Sequence, residues 1–201
     1  MDKILKALTS YANPVRAKQL QRFFKTGVGE YGEGDKFLGI VVPVQRKIVK
    51  EFYNQITLNC VIDLLHNPYH ECRLTALLIL VAKYKKGLTA EKEKIVKIYL
   101  QNANYINNWD LVDLSARDIV GEYYFGKHKK PLYDLTSSPS IWERRISVIA
   151  IFYFIAKNQF DDSLKIAKIL LKDEHDLIHK AVGWMLREVG KRNQEVEEEF
   201  L

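Results

Sequence analysis

The sequence predicts an all-α fold, an α-solenoid in which paired helices stack and leave one concave face. Two observations predict it. Between the few prolines and glycines, apolar residues recur at spacings of three, four and seven, the period of an amphipathic helix, and strand-like alternation is missing. Blocks of similar pattern also recur about every 36 residues. With 201 residues, 47% of them hydrophobic, the chain is expected to form one helical-repeat domain over 1–201.

Each predicted helix follows from its apolar pattern and from the residues at its ends. Pro14 and Pro43 suit the first turn of a helix, and Thr89, Ser140 and Asp161 suit N-caps. The predicted helices span 2–10, 14–24, 43–53, 57–66, 70–86, 89–102, 109–122, 128–135, 140–157, 161–171 and 175–192.

The repeating unit is predicted to be a helix pair. Four blocks align, at 72–82, 108–118, 144–154 and 179–189, with offsets of 36, 36 and 35 residues, and another helix precedes each block. This organisation is typical of HEAT-like α-solenoids, whose second helices line a concave binding wall. A chance match among amphipathic helices is the alternative.

Chemically distinctive side chains fall at equivalent places in these blocks. The second positions hold Arg73, Trp109, Arg145 and Lys180, and the positions one turn later hold Leu77, Asp113, Ile149 and Trp184. The last three blocks therefore gather an acid, two indoles and two cations on one predicted face. A face that serves only the core would carry Leu or Ala there, although either tryptophan alone is equally consistent with core packing.

A glycine-rich segment at 26–39 contains the pattern G-x-G-x-x-G at Gly27, Gly29 and Gly32. A helix precedes it and no strand does, so a flexible loop is predicted in place of a dinucleotide site. Its backbone amides, with Lys25 and Lys36 beside them, are candidate contacts to phosphate.

Charge and residue usage narrow the class of protein. The 31 Lys and Arg outnumber the 25 Asp and Glu, and four of the acids lie in the last seven residues, so residues 1–193 carry 31 bases against 21 acids, or +10. This balance suggests an anionic partner, first of all a nucleic acid. No apolar run approaches the ~18 residues that cross a bilayer, which predicts no membrane association.

Cysteine and histidine usage predicts neither a disulfide framework nor a metal site. Two cysteines and the lack of a signal peptide lead us to expect a cytoplasmic protein. His175 and His179 have helical spacing but no evident third ligand. His66 and His70 flank Pro68 and are interpreted as loop and cap residues. We therefore predict no metal and no cofactor.

With these residues assembled, the sequence resembles the AlkD-type DNA alkylation repair glycosylases, a family of HEAT-like repeat proteins. The resemblance covers nearly the whole chain and rests on four segments, FFKTGVGEYGEGDKFLGIVVPVQRKIVKEF (23–52), INNWDLVDLSARDIVGEYYF (106–125), IWERRISVIA (141–150) and HKAVGWMLREVGKRN (179–193). It departs from the family after residue 193, where a further basic helical segment is expected and the chain instead reads EVEEEFL. The C-terminal family segment is therefore expected to be missing or shortened.

The resemblance implies a monomeric, monofunctional glycosylase that excises N3- or N7-alkylated purines from duplex DNA as a step of base excision repair. The family's active-site aromatics match Trp109 and Trp184, its essential acid matches Asp113, and its essential arginine matches Arg145, with Arg144 as an alternative registration. Bidentate pairing to phosphate is the expected task of Arg145. Arg144, Lys180, Arg73, Lys25 and Lys36 complete the expected DNA contacts.

The chemistry of the residues agrees with this implication. An alkylated purine is already cationic and leaves as a neutral base, so the carboxylate of Asp113 is needed mainly to offset the positive charge that develops on the sugar. Two readings compete with it. A non-catalytic HEAT-like module that binds DNA or protein would need neither Asp113 nor paired tryptophans, and a different phosphodiester enzyme would need a carboxylate cluster for Mg²⁺, which the sequence lacks.

Overall fold

A computed structural model describes residues 2–201, and it consists of helices and connecting loops. No β-strand forms within this range, although an isolated parallel β-bridge joins Lys36 to Tyr69. The chain divides into two compact units, the first ending at Leu111 and the second spanning Val112–Leu201. Each unit is described separately below. The prediction of an all-α repeat fold is confirmed.

The first unit contains six helices of two to five turns before the chain reaches Trp109. They are α1 (Asp2–Thr9), α2 (Pro14–Phe23), α3 (Val42–Phe52), α4 (Leu58–Leu65), α5 (His70–Lys86) and α6 (Thr89–Gln101), followed by a 3₁₀ turn, Ala103–Tyr105. A short helix, α7 (Trp109–Asp113), carries the chain past the boundary.

The second unit begins with a π-helical turn, Arg117–Gly121, that leads into a short helix. The helices are α8 (Glu122–Tyr124), α9 (Lys130–Thr136), α10 (Ile141–Ala150), α11 (Phe152–Ile155), α12 (Asp161–Leu170), α13 (Asp176–Gly190) and α14 (Gln194–Phe200). Each of the longer ones places an apolar stripe against its neighbours.

Helix pairs are the packing unit in both halves of the chain. Helix α4 packs on α5 in the first unit, and in the second α9 packs on α10 and α12 on α13. The second helices α10 and α13 also pack directly on one another. The central helix α5 is buried continuously from His70 to Val81, and α3, α4 and α6 pack against it.

Several predicted boundaries hold, and others are wrong. Helix α5 has the predicted bounds, and Pro14 and Pro43 do occupy first turns. Predicted N-caps Thr89 and Asp161 are instead the first residues of their helices, after Leu88 and Phe160.

The long predicted helices 109–122 and 140–157 are each interrupted. The first is broken by the π-helical turn and the second at Ile151. Gly121 is the last residue of the π-helical turn. It has no room for a side chain, because a Cβ there would come within 2.2 Å of the carbonyl oxygen of Ala150. An apolar period reports which residues face the core, and it carries no information on such close backbone contacts.

The glycine-rich segment 26–39 forms a loop, as predicted, and its C-terminal end is bonded to a buried side chain of α5. Glu71, itself buried, accepts hydrogen bonds from the backbone amides of Leu38, Gly39 and Ile40 at 2.7–3.1 Å. Gly39 has a φ of 84°, and a Cβ there would lie 2.2 Å from the carbonyl oxygen of Asn13. Glycine is therefore required by close backbone approach and by the left-handed conformation.

Candidate active site

An ion pair between Asp113 and Arg145 is the centre of the candidate site in the second unit. The guanidinium donates from Nε to Oδ1 at 2.9 Å and from Nη2 to Oδ2 at 2.8 Å, which is the bidentate arrangement. Its Nη1 donates to the backbone carbonyl of Leu177 on α13. The side chain of Arg145 is 7% exposed and that of Asp113 is 15% exposed. The arginine is thus buried behind a carboxylate whose position it fixes.

A second set of contacts in this unit joins Arg117, Phe152 and Trp184. The guanidinium of Arg117 lies 4.6 Å from the centroid of the Phe152 ring, and the Trp184 ring meets Phe152 edge-on at 5.5 Å. Glu188, one turn later on α13, has a lowered pKa, chiefly through its hydrogen bond with Lys191, with Arg192 and Trp184 contributing less. Trp184 is half-buried, so part of its ring remains open to solvent.

These contacts form two tiers, which share helix α13. The first tier is Asp113, Arg145 and Leu177, and the second tier is Arg117, Phe152 and Trp184. Leu177 and Trp184 are seven residues apart on α13, which places them on one helix face about 10 Å apart along its axis. The second unit therefore places an acid, an aromatic surface and a guanidinium in consecutive layers.

Trp109, the other predicted aromatic, belongs to an aromatic cluster of the first unit. Its ring stacks on Phe24 at 5.2 Å and 27°, and Phe23 contacts it edge-on at 5.9 Å. Trp109 itself is half-buried, while Phe23 is 63% exposed. This cluster therefore presents aromatic surface to solvent beside Trp109.

A buried polar network lies next to this cluster. His70 is bonded through Nδ1 to Asp35 at 3.2 Å and through Nε2 to Asp110 at 2.9 Å, and its ring stacks on Phe37 at 4.7 Å. Arg73 pairs with the other oxygen of Asp35 at 2.6 Å. His70 is therefore a buried member of a charge network, and its interpretation as a loop or cap residue is wrong.

The network determines the protonation of its members. Burial alone would lower the pKa of His70, but the hydrogen bonds to Asp110 and Asp35 outweigh burial and raise it to about 9. Burial would raise the pKa of Asp35, and the His70 hydrogen bond with the charge of Arg73 reverses this and lowers it. At neutral pH the network thus contains a protonated His70 beside an ionised Asp35.

Sequence reasoning missed this network because its members come from separate segments. Asp35 lies in the glycine-rich loop, His70 and Arg73 open α5, and Asp110 lies within α7. Asp35 stands beside Lys36 and Asp110 stands beside Trp109, which are candidates on other grounds. No spacing rule connects the two acids with each other or with His70.

Three of the predicted DNA-contacting cations already have partners. Arg73 is buried and donates to Asp35 and to the carbonyls of Asn67 and Pro68. Arg144 donates in the same way to Asp173 and to the carbonyls of Ser138 and Pro139. Arg145 is occupied by Asp113 and Leu177, as described above. Their positions favour structural or positioning tasks over contact with a phosphate.

The matching contacts of Arg73 and Arg144 correct the repeat register. Both arginines lie five residues after a proline and close the loop before a second helix. The structural equivalent of Arg73 is therefore Arg144, not Arg145, so the offset is 71 residues where the sequence alignment gives 72. The physical reason is that hydrogen bonds to loop carbonyls define the equivalent position, and the apolar pattern carries no information on those bonds.

The predicted lysines remain at the surface. Lys180 is exposed and pairs with Asp176 one turn earlier, an exposed ion pair that contributes little to stability. Lys25 directly precedes the glycine-rich loop and Lys36 lies within it, and both side chains are exposed. These three lysines are open to an anionic partner.

The structure was also searched for metal-binding groups and for membrane-spanning helices. Among residues 2–201, no three His, Cys, Asp or Glu side chains are grouped in a way that could hold a metal ion. Across the same described range, no helix has both the length and the apolar character to span a bilayer.

Comparison with known proteins gives a consistent result. The profile of a family described as DNA alkylation repair enzyme matches residues 4–201. A solved structure of a "predicted DNA alkylation repair enzyme" from Enterococcus faecalis is similar, with a TM-score of 0.71 and 20% sequence identity over 94% of this chain and 88% of that one. At this identity the likeness concerns the fold. No curated protein matches the sequence.

Proposed function

Because the chain belongs to the family of DNA alkylation repair enzymes, we propose that it is a monofunctional DNA glycosylase that hydrolyses the N-glycosidic bond of N3- or N7-alkylated purines in duplex DNA. The observation that carries the proposal is the Asp113–Arg145 ion pair, in which a buried guanidinium orients a partly exposed carboxylate. A carboxylate of this kind is what a reaction through a cationic sugar requires.

The proposed reaction uses the charge of the substrate itself. Alkylation at N3 or N7 leaves the purine with a formal positive charge, so the base departs as a neutral molecule with the bonding electron pair. The sugar is left with oxocarbenium character, and Asp113 opposes that charge and orients the attacking water. At ~4 Å and an effective dielectric constant of about 20, an attraction between unit charges is worth ~4 kcal/mol.

Arg145 acts through Asp113 in this scheme. Because three of its nitrogens already donate within the protein, it is proposed to hold the carboxylate in one orientation and not to contact a phosphate. Preorganisation of this kind removes the cost of reorienting a charged group during the reaction.

Trp184 is proposed to contact the lesion-bearing nucleotide, and Trp109 is proposed as an aromatic DNA contact of the first unit. Trp184 and Trp109 are both half-buried and each has an aromatic neighbour that limits its motion. A π face beside a cationic sugar or base contributes ~0.5–2 kcal/mol. The exposed Lys25, Lys36 and Lys180 are proposed to contact the DNA backbone.

The decisive experiment is base release from a duplex that carries N7-methylguanine, with Asp113→Asn as the test variant. The amide keeps the shape of the side chain and loses its charge, so we expect release to fall by ~10²-fold or more. Affinity for a duplex with a reduced abasic site should stay equal or increase. Asp134→Asn, the same change at an exposed carboxylate that pairs with Lys130, is the matched control and should behave as wild type.

The results separate the proposal from its alternatives. Equal release by wild type and Asp113→Asn would refute the role of the carboxylate. Salt-dependent binding without any release by the wild-type protein would identify a binding module instead of an enzyme.

A further inference from the structure

Arg117 has a guanidinium whose hydrogen-bonding capacity is unused. It lies over the Phe152 ring, its Nε is fully buried, and that Nε has no hydrogen-bond partner. Within residues 2–201 the group takes part in no ion pair. A buried donor without a partner costs ~1–3 kcal/mol, so a protein that retains one has a reason to do so.

The position over an aromatic ring suits recognition of an oxyanion. Attraction to the face of the ring does not use the N–H groups of a guanidinium, which stay available for hydrogen bonds in the plane of the fork. Two of those donors match two oxygens of a phosphate. Because Arg117 is half-buried, its outer nitrogens can be reached from solvent while its inner edge stays dry.

The position of Arg117 connects it with the candidate site. It begins the π-helical turn four residues after Asp113, and it belongs to the second tier with Phe152 and Trp184. Single π-helical turns often occur at functional sites, since they redirect a side chain from its regular path.

Two arginines on the neighbouring helix α10 have their donors occupied. Arg144 directs its donors to Asp173 and to two loop carbonyls, and Arg145 directs its donors to Asp113 and Leu177. A phosphate that approaches Phe152 from solvent would therefore meet donors of Arg117 that are still open.

We propose that Arg117 forms a phosphate-binding subsite, in which its guanidinium fork holds a phosphodiester of the lesion-bearing DNA strand next to Trp184. The inference rests on the proposed function, and it assigns to Arg117 the phosphate contact that the sequence assigned to Arg145. Stacking on Phe152 holds the fork in place before DNA arrives, which reduces the entropy lost on binding.

Binding of a duplex with a reduced abasic site, measured by fluorescence anisotropy at several salt concentrations, tests the subsite. Arg117→Gln should weaken binding roughly tenfold and lower the log–log salt slope by ~0.9, the value for one phosphate contact. Lys168→Gln, which removes one charge from an exposed position on α12, is the matched control and should leave the slope unchanged.

Arg117→Lys provides a second, milder variant that keeps the charge and the contact with Phe152. It should retain the wild-type slope but bind several-fold more weakly, because an ammonium group lacks the planar fork. This variant decides the matter if Arg117→Gln loses its helical circular dichroism.

The outcomes distinguish this inference from the proposed function. An unchanged slope in Arg117→Gln, or wild-type affinity in Arg117→Lys, would overturn the subsite even if alkylated bases are released normally. If Arg117→Gln lowers the slope as expected but the wild-type protein releases no base, the glycosylase is refuted and the subsite stands.

Discussion

Protonated His70 is expected to make the stability of the first unit depend on pH in the neutral to alkaline range. Its pKa rises from the ordinary value of 6.5 to about 9 because two carboxylates bond to it. A group whose pKa is higher in the folded state stabilises fully below its unfolded pKa and loses that contribution as the pH passes the folded one. The contribution is therefore complete at pH 6 and gone by about pH 10.

The size of this effect follows from the two pKa values. At about 1.4 kcal/mol per pH unit, the difference between 6.5 and about 9 corresponds to about 3 kcal/mol. His70 is almost fully buried, so solvent screens its attraction to Asp35 and Asp110 only weakly. On the acid side, the lowered pKa of Asp35 makes its contribution present above about pH 4 and lost as the pH falls further.

Urea unfolding of wild type and His70→Gln at pH 6 and pH 10, followed by helical circular dichroism, measures the effect. The difference between the two free energies of unfolding should be about 3 kcal/mol larger at pH 6 than at pH 10. His179→Gln, at an exposed position of α13, is the control and should show no such change. A difference of the same size at both pH values would refute the idea that His70 is a cation held by its carboxylate neighbours.

Two further predictions concern the loop and the substrate. Glu71→Gln replaces a carboxylate that accepts three backbone N–H groups, so urea unfolding should show a loss of about 2–3 kcal/mol in the free energy of unfolding. Glu93→Gln, at an exposed position of α6, is the control and should change it little. Equal stability of the two variants would contradict this prediction. Without an evident general acid, release of neutral lesions such as uracil or hypoxanthine should be far slower than release of N7-methylguanine in the same duplex, and comparable rates would reveal a protonating group that this mechanism lacks.

The chemistry of the candidate site could be predicted in part from the sequence. The repeat alignment placed Asp113 and Arg145 on one predicted face, and the structure brings these two side chains into a bidentate contact. The alignment also selected Trp184, which packs with Phe152 in the same unit. Residue types at helical spacing indicate which side chains share a face, and that information is local.

The partners of the cations could not be predicted in the same way. Arg73, Arg144 and Arg145 read alike in the sequence, as basic residues near the start of a second helix. Their environments differ because loop carbonyls and acids from distant segments meet them only after folding. The one-residue error in the repeat register has the same origin.

By itself the sequence determined an all-α repeat of helix pairs, since the 3.6-residue apolar period and the recurrence near 36 residues are properties of the chain alone. Only the tertiary structure decided that His70 is a buried cation, that Arg145 supports Asp113, and that Arg117 keeps its donors open. The physical reason is that hydrogen bonding and desolvation depend on which groups meet in space, and these groups are 32 to 40 residues apart in the two ion pairs concerned.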